Sequence, residues 1–253
     1  MQTIYVGNTL INDIALGKSQ IQNIWAQPPV ISTLNLQYWF DTSFSSSGVN
    51  WRANVGNSTG SLVNATFESS YPQRYVLTGA NNEILFSGGN PGTGTAARTT
   101  VVTFNTTTTG SVQNIVWFGN PTTSDLLALQ ISTGSVGTDA YLKVLYLDTQ
   151  APILTTSSIA TELGPISPNK WYMATLQTTG STFQGITVWL NNKSQTFNGT
   201  GSWTTANTYW INGAANGENP FAGSIQANLY YNSYISQSAV LEDYEYYKLK
   251  LAI

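Results

Sequence analysis

The stretch PFAGSIQANLYYNSYISQSAVLEDYEYYKLK, Pro220–Lys250, carries two different periods back to back. Across Ser224–Asn232 the apolar Ile225, Ala227 and Leu229 alternate with Gln226 and Asn228, the period-two pattern of a strand with one buried and one wet face. From Ser236 the pattern changes. Ser236 and Ser238 are cap residues, Glu242 and Asp243 fall early, and Lys248 and Lys250 fall late, a charge order that suits a helix dipole. Val240, Leu241, Tyr244 and Tyr247 recur near helical spacing. The expectation is a strand followed by a helix lying against the sheet, with Glu242 and Asp243 facing solvent.

Working outward, ten further β-rich runs precede this one: Leu34–Phe40, Arg74–Gly79, Glu83–Ser87, Thr99–Asn105, Asn114–Gly119, Leu126–Ser132, Tyr141–Leu147, Trp171–Gln177, Gly185–Asn191 and Thr208–Gly213. Turns rich in Gly, Asn, Pro and Thr separate them. Eleven short strands so spaced read as a sandwich or barrel. Ile186, Val188 and Leu190 repeat the alternation against Thr187 and Trp189, again with one face expected to be wet.

Composition narrows the function classes. Charged residues make up 8% of the 253, against about 25% in an average domain, and the net charge of -3 is spread without a run, which leaves no electrostatic footprint for nucleic acid. With no Cys and no His the chain builds no disulfide, no thiolate or imidazole metal site and no Ser-His-Asp triad. No apolar run approaches the roughly 18 residues of a spanning helix, and the N-terminus lacks signal-peptide features. Synthesis in the cytoplasm without standard export or membrane insertion is the expectation.

Several phrases resemble one family. In LNLQYWFDTSFSSSGVNWRANVGNSTGSLVNATFESSY, Leu36 and Asp41 lead to Trp51, a turn at Asn57–Gly60 and a short strand at Leu62 and Asn64. KWYMATLQ begins a strand at Trp171, ITVWLNNKSQ reads as a hairpin turning at Asn191-Asn192, and Phe221, Gly223, Ile225 and Tyr231-Asn232 form a closing phrase before the helix. Together these resemble concanavalin A-like, laminin-G-type lectin domains. The resemblance spans about residues 31–253 and implies an all-β, concanavalin A-like jelly-roll β-sandwich with one short C-terminal helix. Gly223 then marks a close approach of neighbouring backbone or ring, and Asn191-Asn192 supplies positive φ in a tight turn. Trp171, Trp189 and Phe221 are expected between the two sheets.

That fold hosts lectins, adhesion modules, glycoside hydrolases and virion proteins, so residues must decide. Glycosidases on such sandwiches carry paired carboxylates, and the nearest pairs here are Glu242-Asp243 and Asp243 with Glu245, which a helix keeps off a common face. The expectation is no catalysis and no cofactor. Calcium sites on laminin-G domains use rim acids; Asp125, Asp139 and Asp148 sit near strand ends without clustering, so ordinary turn roles are favoured. For a saccharide, the polar loop SWTTANTYWINGAANGENP offers Trp203, Asn207, Trp210, Asn212, Asn216 and Glu218, with Trp210 equally suited to a core.

Residues 1–27 stand apart. IYVGNTLINDI (Ile4–Ile14) and IALGKSQIQNI (Ile14–Ile24) form a ten-residue repeat of three-residue β runs and turn pairs such as Gly7-Asn8 and Gly17-Lys18. Units so short do not hold together alone, yet Ile4, Val6, Ile11, Ile14, Leu16, Ile21, Ile24 and Trp25 need burial. The expected interface is these residues together with Gly7 and Gly17, with residues 28–30 as a proline spacer. An N-terminal repeat before a laminin-G-like domain resembles virion proteins of tailed bacteriophages. This implies a non-catalytic surface protein, either a capsid decoration or head fibre or a tail-fibre adhesion module. It would be oligomeric, attached to capsid or tail proteins through residues 1–27, and would display a lectin-like domain for a host glycan. The alternatives are a free lectin, a glycoside hydrolase, or a repeat that merely adds edge strands to the sandwich.

Overall fold

In a computed structural model of the chain, the described residues are 4–6, 9–11, 29–44, 50–79, 81–87, 96–120, 125–133, 139–147, 155–180, 184–198, 210–213 and 219–253. A short hairpin comes first, β1 (Ile4–Val6) and β2 (Thr9–Ile11), with Ile4 opposite Ile11 and Val6 opposite Thr9. It forms a two-stranded sheet of its own and extends neither sandwich sheet. Then follow β3 (Leu36–Asp41), β4 (Asn50–Arg52), β5 (Thr59–Val63), β6 (Thr66–Glu68), β7 (Arg74–Thr78), β8 (Glu83–Ser87), β9 (Arg98–Thr106), β10 (Gln113–Asn120), β11 (Asp125–Thr133) and β12 (Ala140–Leu147). The chain ends with β13 (Thr155–Ile159), β14 (Trp171–Thr178), β15 (Ile186–Leu190), β16 (Lys193–Phe197), β17 (Trp210–Gly213), β18 (Ala222–Tyr231) and α1 (Gln237–Leu251).

Two antiparallel sheets carry the jelly roll. One runs β13-β12-β11-β10-β17-β8-β5-β4; the other runs β16-β15-β14-β9-β18-β7-β6, with β3 also paired to β18. All eleven runs expected from the sequence are strands. Of the five others, β5 holds Leu62 of the expected short strand, although Asn64 falls just beyond it, and β16 is the second arm of the expected hairpin; β4, β6 and β13 are three to five residues long and take their order from ladder partners rather than from apolar alternation. The turn after β15 is tight as expected, and Asn191 carries its positive φ of 57°. Gly223 is also as expected: a Cβ there would run into the Asn105 carbonyl oxygen and the Phe221 ring.

The layer between the sheets holds Phe40, Trp51, Tyr75, Phe86, Phe104, Phe118, Ile186, Val188, Leu190 and Phe221 among its buried residues. A second apolar layer lies between the β14-β9-β18 region and α1, built from Val101, Met173, Trp189, Ala227, Leu229, Tyr231, Ile235, Val240, Tyr244, Tyr247 and Leu251. This second layer corrects two expectations. Trp189 packs into it and Trp171 against it, so of the three aromatics assigned to the inter-sheet space only Phe221 is there. Moreover, neither Thr187 nor Trp189 is wet, each being 4% exposed, and Gln226 and Asn228 are fully buried. The helix on the outer face covers Trp189, which alternation alone does not reveal, whereas Asn228 is buried on the inter-sheet side against Asn212.

Register explains a third difference. The pairing of β18 with β9 shifts between Ile225 and Ala227, leaving Gln226 as the extra residue of a bulge. Ile225 therefore joins the inter-sheet layer while Ala227 and Leu229 turn toward α1. The helix itself begins at the expected cap: Ser236 precedes it and its hydroxyl accepts from the Ala239 N–H at 3.2 Å.

Candidate functional site

The residues singled out from the sequence separate into three groups. Trp203, Asn207, Asn216 and Glu218 lie outside the described residues, as do Gly7, Ile14, Leu16, Gly17, Ile21, Ile24, Trp25 and Asp148. Ile4, Val6 and Ile11 lie on β1 and β2, Asp125 opens β11, and Trp210 opens β17, where its backbone pairs with Phe118 and Phe86. Asn212 is fully buried and belongs to the core. Its amide donates to Asn228 Oδ1 at 3.1 Å and to the Ile115 carbonyl at 3.0 Å, and it accepts from Asn228 Nδ2 at 2.7 Å. This reciprocal amide pair bridges the two sheets and leaves Asn212 no free face for a ligand. Asp139 is exposed, with the Tyr141 hydroxyl 3.5 Å away. Among the described residues no three acids gather at one point.

On the outer face of the β10-containing sheet, ladder pairing aligns side chains in rows. Leu85, Ile211, Trp117, Ala128 and Leu145 form an apolar row across five strands. Beside it runs a polar row, Asn114 opposite Gln130 and Gln130 opposite Lys143. Gln130 Nε2 donates to Asn114 Oδ1 at 2.6 Å, whereas Gln130 Oε1 is buried without a hydrogen-bond partner. Burial pushes the Lys143 ammonium below its ordinary range and the Glu83 carboxyl above its own. Trp117 and Gln130 are 2% and 1% exposed, so the middle of these rows is closed to a ligand.

Among the described residues an open aromatic surface lies elsewhere, at the C-terminal end of α1. Trp39 packs edge-on against Phe44 and Tyr246, with centroids 5.6 and 6.2 Å apart, and the Tyr71 hydroxyl donates to the Lys250 carbonyl. Phe44 is 62% exposed and Tyr71 76%. Underneath, the Lys250 ammonium sits 2.6 Å from both carboxylate oxygens of the fully buried Asp41 and within 6 Å of the Phe44, Tyr246 and Tyr247 rings. Gln226 Nε2 also donates to Asp41 at 2.8 Å, and the Trp39 indole N–H donates to the Tyr247 hydroxyl. Burial lowers the Lys250 pKa, opposed by the Asp41 charge. The result is a shelf of ring faces fixed from below by a shielded ion pair.

The third surface is where the chain enters the sandwich. Pro29 and Val30 line a cavity of about 350 Å³ with Ser238, Leu241, Glu242 and Glu245 of α1. Just inside it, Asp243 contradicts the expectation of a solvent-facing acid: it is fully buried, accepting from the Ser32 N–H at 3.0 Å and lying 2.8 Å from the Tyr231 hydroxyl. Burial pushes its carboxyl up to about 7, against the lowering effect of those two hydrogen bonds. Glu242 and Glu245 stay exposed. Neither the shelf nor this cluster is visible in sequence, because the contacts that assemble them, Ser32 with Asp243, Tyr71 with Lys250 and Asp41 with Lys250, span 179 to 211 residues.

No protein-family model and no curated protein matches the chain. Solved structures do. The chain is similar to a sialidase from Trypanosoma rangeli (14% identity, TM-score 0.63, covering 87% of this chain and 34% of that one). It is similar to the botulinum neurotoxin serotype D ligand binding domain in complex with N-acetylneuraminic acid (13%, 0.58, 83% and 50%). It is also similar to domain 4 of an extracellular arabinanase from Geobacillus stearothermophilus in complex with arabinotriose (13%, 0.58, 83% and 98%). The chain thus spans about half of the neurotoxin domain and about a third of the sialidase. At such identities the likeness establishes the all-β sandwich fold.

Proposed function

We propose that the chain is a non-catalytic surface protein of a tailed-phage virion, attached through residues 1–27, assembling as an oligomer and presenting a sandwich that binds a host glycan. The glycan reading rests chiefly on one observation: exposed ring faces at Phe44 and Tyr71, on a fold shared with domains whose structures hold N-acetylneuraminic acid and arabinotriose. Sugar rings present apolar C–H faces that suit aromatic surfaces, while their hydroxyls suit nearby amides. The 202–220 loop, with Trp203, is the second contact region in this reading.

Attachment is supported by the apolar duplication, whose first copy folds into the β1–β2 hairpin, and by the Pro28-Pro29 spacer that ends it. The absence of catalysis is supported by the state of the described carboxylates. Asp41 is paired with Lys250, Asp243 is enclosed, and Glu242 and Glu245, which both line the cavity at Pro29 and Val30, stand on one helix rather than on opposite walls, with Glu245 paired to Lys248.

The likeness to a sialidase favours one second reading, a glycoside hydrolase. Incubating the chain with sialosides and arabinans separates the two: binding without released sugar fits the proposal, and turnover overturns it. Mass spectrometry of purified particles tests the virion placement; a protein recovered only free of particles supports a free lectin instead.

A further inference from the structure

We infer that Asp243 is a proton-operated clasp for the root of the N-terminal extension: in its neutral form it closes a ring of hydrogen bonds that fastens Ser32 to α1 and to the end of β18. The inference goes beyond the proposed function and depends on neither glycan nor virion. It starts from a count of protons. Asp243 Oδ1 accepts from the Ser32 N–H at 3.0 Å, while the Tyr231 hydroxyl oxygen lies 2.8 Å from Asp243 Oδ2 and 3.0 Å from the Ser32 carbonyl oxygen. A tyrosine hydroxyl has a single proton, and a carboxylate oxygen and a peptide oxygen are both acceptors. One proton cannot fill both contacts.

With a proton on Oδ2 every contact is filled. Asp243 then donates to the Tyr231 oxygen, Tyr231 donates to the Ser32 carbonyl, and the Ser32 N–H still donates to Oδ1. Ionised, the same cluster leaves one close oxygen pair without a proton and places a full charge in a site with no exposure.

Among the described residues no cation compensates that charge. Facing Asp243 are Glu242 and Tyr247 of its own helix, Tyr231 of β18 and Ser32 of the entering chain. Lys248 is engaged with Glu245 and Lys250 with Asp41. Burial is the main force holding the proton on, raising the carboxyl from 3.8 to about 7, with Glu242 adding to it. Ile31 and Ser32, 6% and 8% exposed, follow Val30 at 65%, so between Val30 and Ser32 the chain passes from an exposed to a buried position.

The direction follows from linkage. In an opened clasp Asp243 meets water and titrates near 3.8, so between that value and about 7 each rise in pH favours opening, and above about 7 there is no further effect. The root is fastened in acid and loosened toward neutrality.

Amide exchange at Ser32 in the full chain, corrected for intrinsic chemistry from pH 4.5 to 8.5, reads this opening. The expected opening constant rises by up to about tenfold per pH unit and levels near pH 7. In Asp243→Asn, whose amide donates to Tyr231 as the neutral acid does, it is flat. A wild-type opening constant that ignores pH, or a variant that keeps the slope, overturns the clasp. Should the variant not fold, the carboxyl carbon-13 shift of Asp243 in the wild type decides alone: a midpoint near 7 supports it and one near 4 overturns it.

Discussion

The layer between the two sheets and the layer beneath α1 are filled with the same kinds of apolar side chain, yet they hold their polar groups in opposite ways. Between the sheets, the neutral Asn212 and Asn228 satisfy each other through two hydrogen bonds, and no ionisable group in the pair can respond to pH. Under α1, Asp41, Lys250 and Asp243 are covered by a single helix that meets the sheet near its own end and near the entry of the chain. The contrast shows where this fold keeps charge. The sandwich buries one cation, Arg98 at 1% exposure beside Tyr230 of the inter-sheet layer, whereas the seam beneath the lone helix buries acids, which are paired or protonated there.

The comparison breaks most visibly at Trp51. Its ring touches Phe40, Tyr75 and Phe86 within centroid distances of 5.5, 4.9 and 5.9 Å at full burial. Trp51→Ala is expected to destabilise the chain by about 3–5 kcal/mol in urea unfolding. Under α1, Asp41→Ala leaves Lys250, whose side chain is 14% exposed, without its carboxylate partner, for an expected loss of about 2–4 kcal/mol. Replacing Lys250 by Met in the same chain restores much of it.

Titration separates the layers further. Asp243 holds its proton above the ordinary 3.8, so the stability it contributes is full in acid and declines as pH rises toward about 7. Wild type minus Asp243→Asn should therefore show a slope of up to about 1.4 kcal/mol per pH unit across that window, while Asn228→Leu minus wild type should show none. The smallest effect belongs to that amide pair. Asn228→Leu alone leaves the Asn212 amide short of partners and costs about 1–3 kcal/mol, and changing both residues to Leu recovers most of the loss.

How far the sequence carried depends on how locally each feature is encoded. The hairpin at Asn191-Asn192 and the Ser236 cap are set by neighbours in the chain and are legible in it, and the close approach at Gly223, made to Asn105 of another strand, is legible through the family phrase that carries it. Strands with apolar alternation were legible too, but Thr66–Glu68 and Thr155–Ile159 were not, since their residues do not differ from turn residues until a ladder partner claims them. The side to which Trp189 turns and the burial of Asp243 differ from expectation because both depend on α1 docking: the helix covers Trp189 on the outer face, and docking sets Asp243 against Tyr231 and the entering Ser32. Of the candidate site, Asn212 is the instructive case. Asn suits a glycan loop and a buried amide pair equally well, and only the position of Asn228 on the opposite sheet decides between them.

Binding of sugar without its cleavage is the property that the proposed function requires of this sandwich. The most direct measurement is the full chain on a glycan array, alongside Phe44→Ala with Tyr71→Ala, and Trp203→Ala. The expected result is binding to at least one glycan class, weakened about tenfold or more by one of these changes, about 1.4 kcal/mol of lost contact, with no sugar released. A chain that binds no glycan, or one that hydrolyses what it binds, contradicts the account.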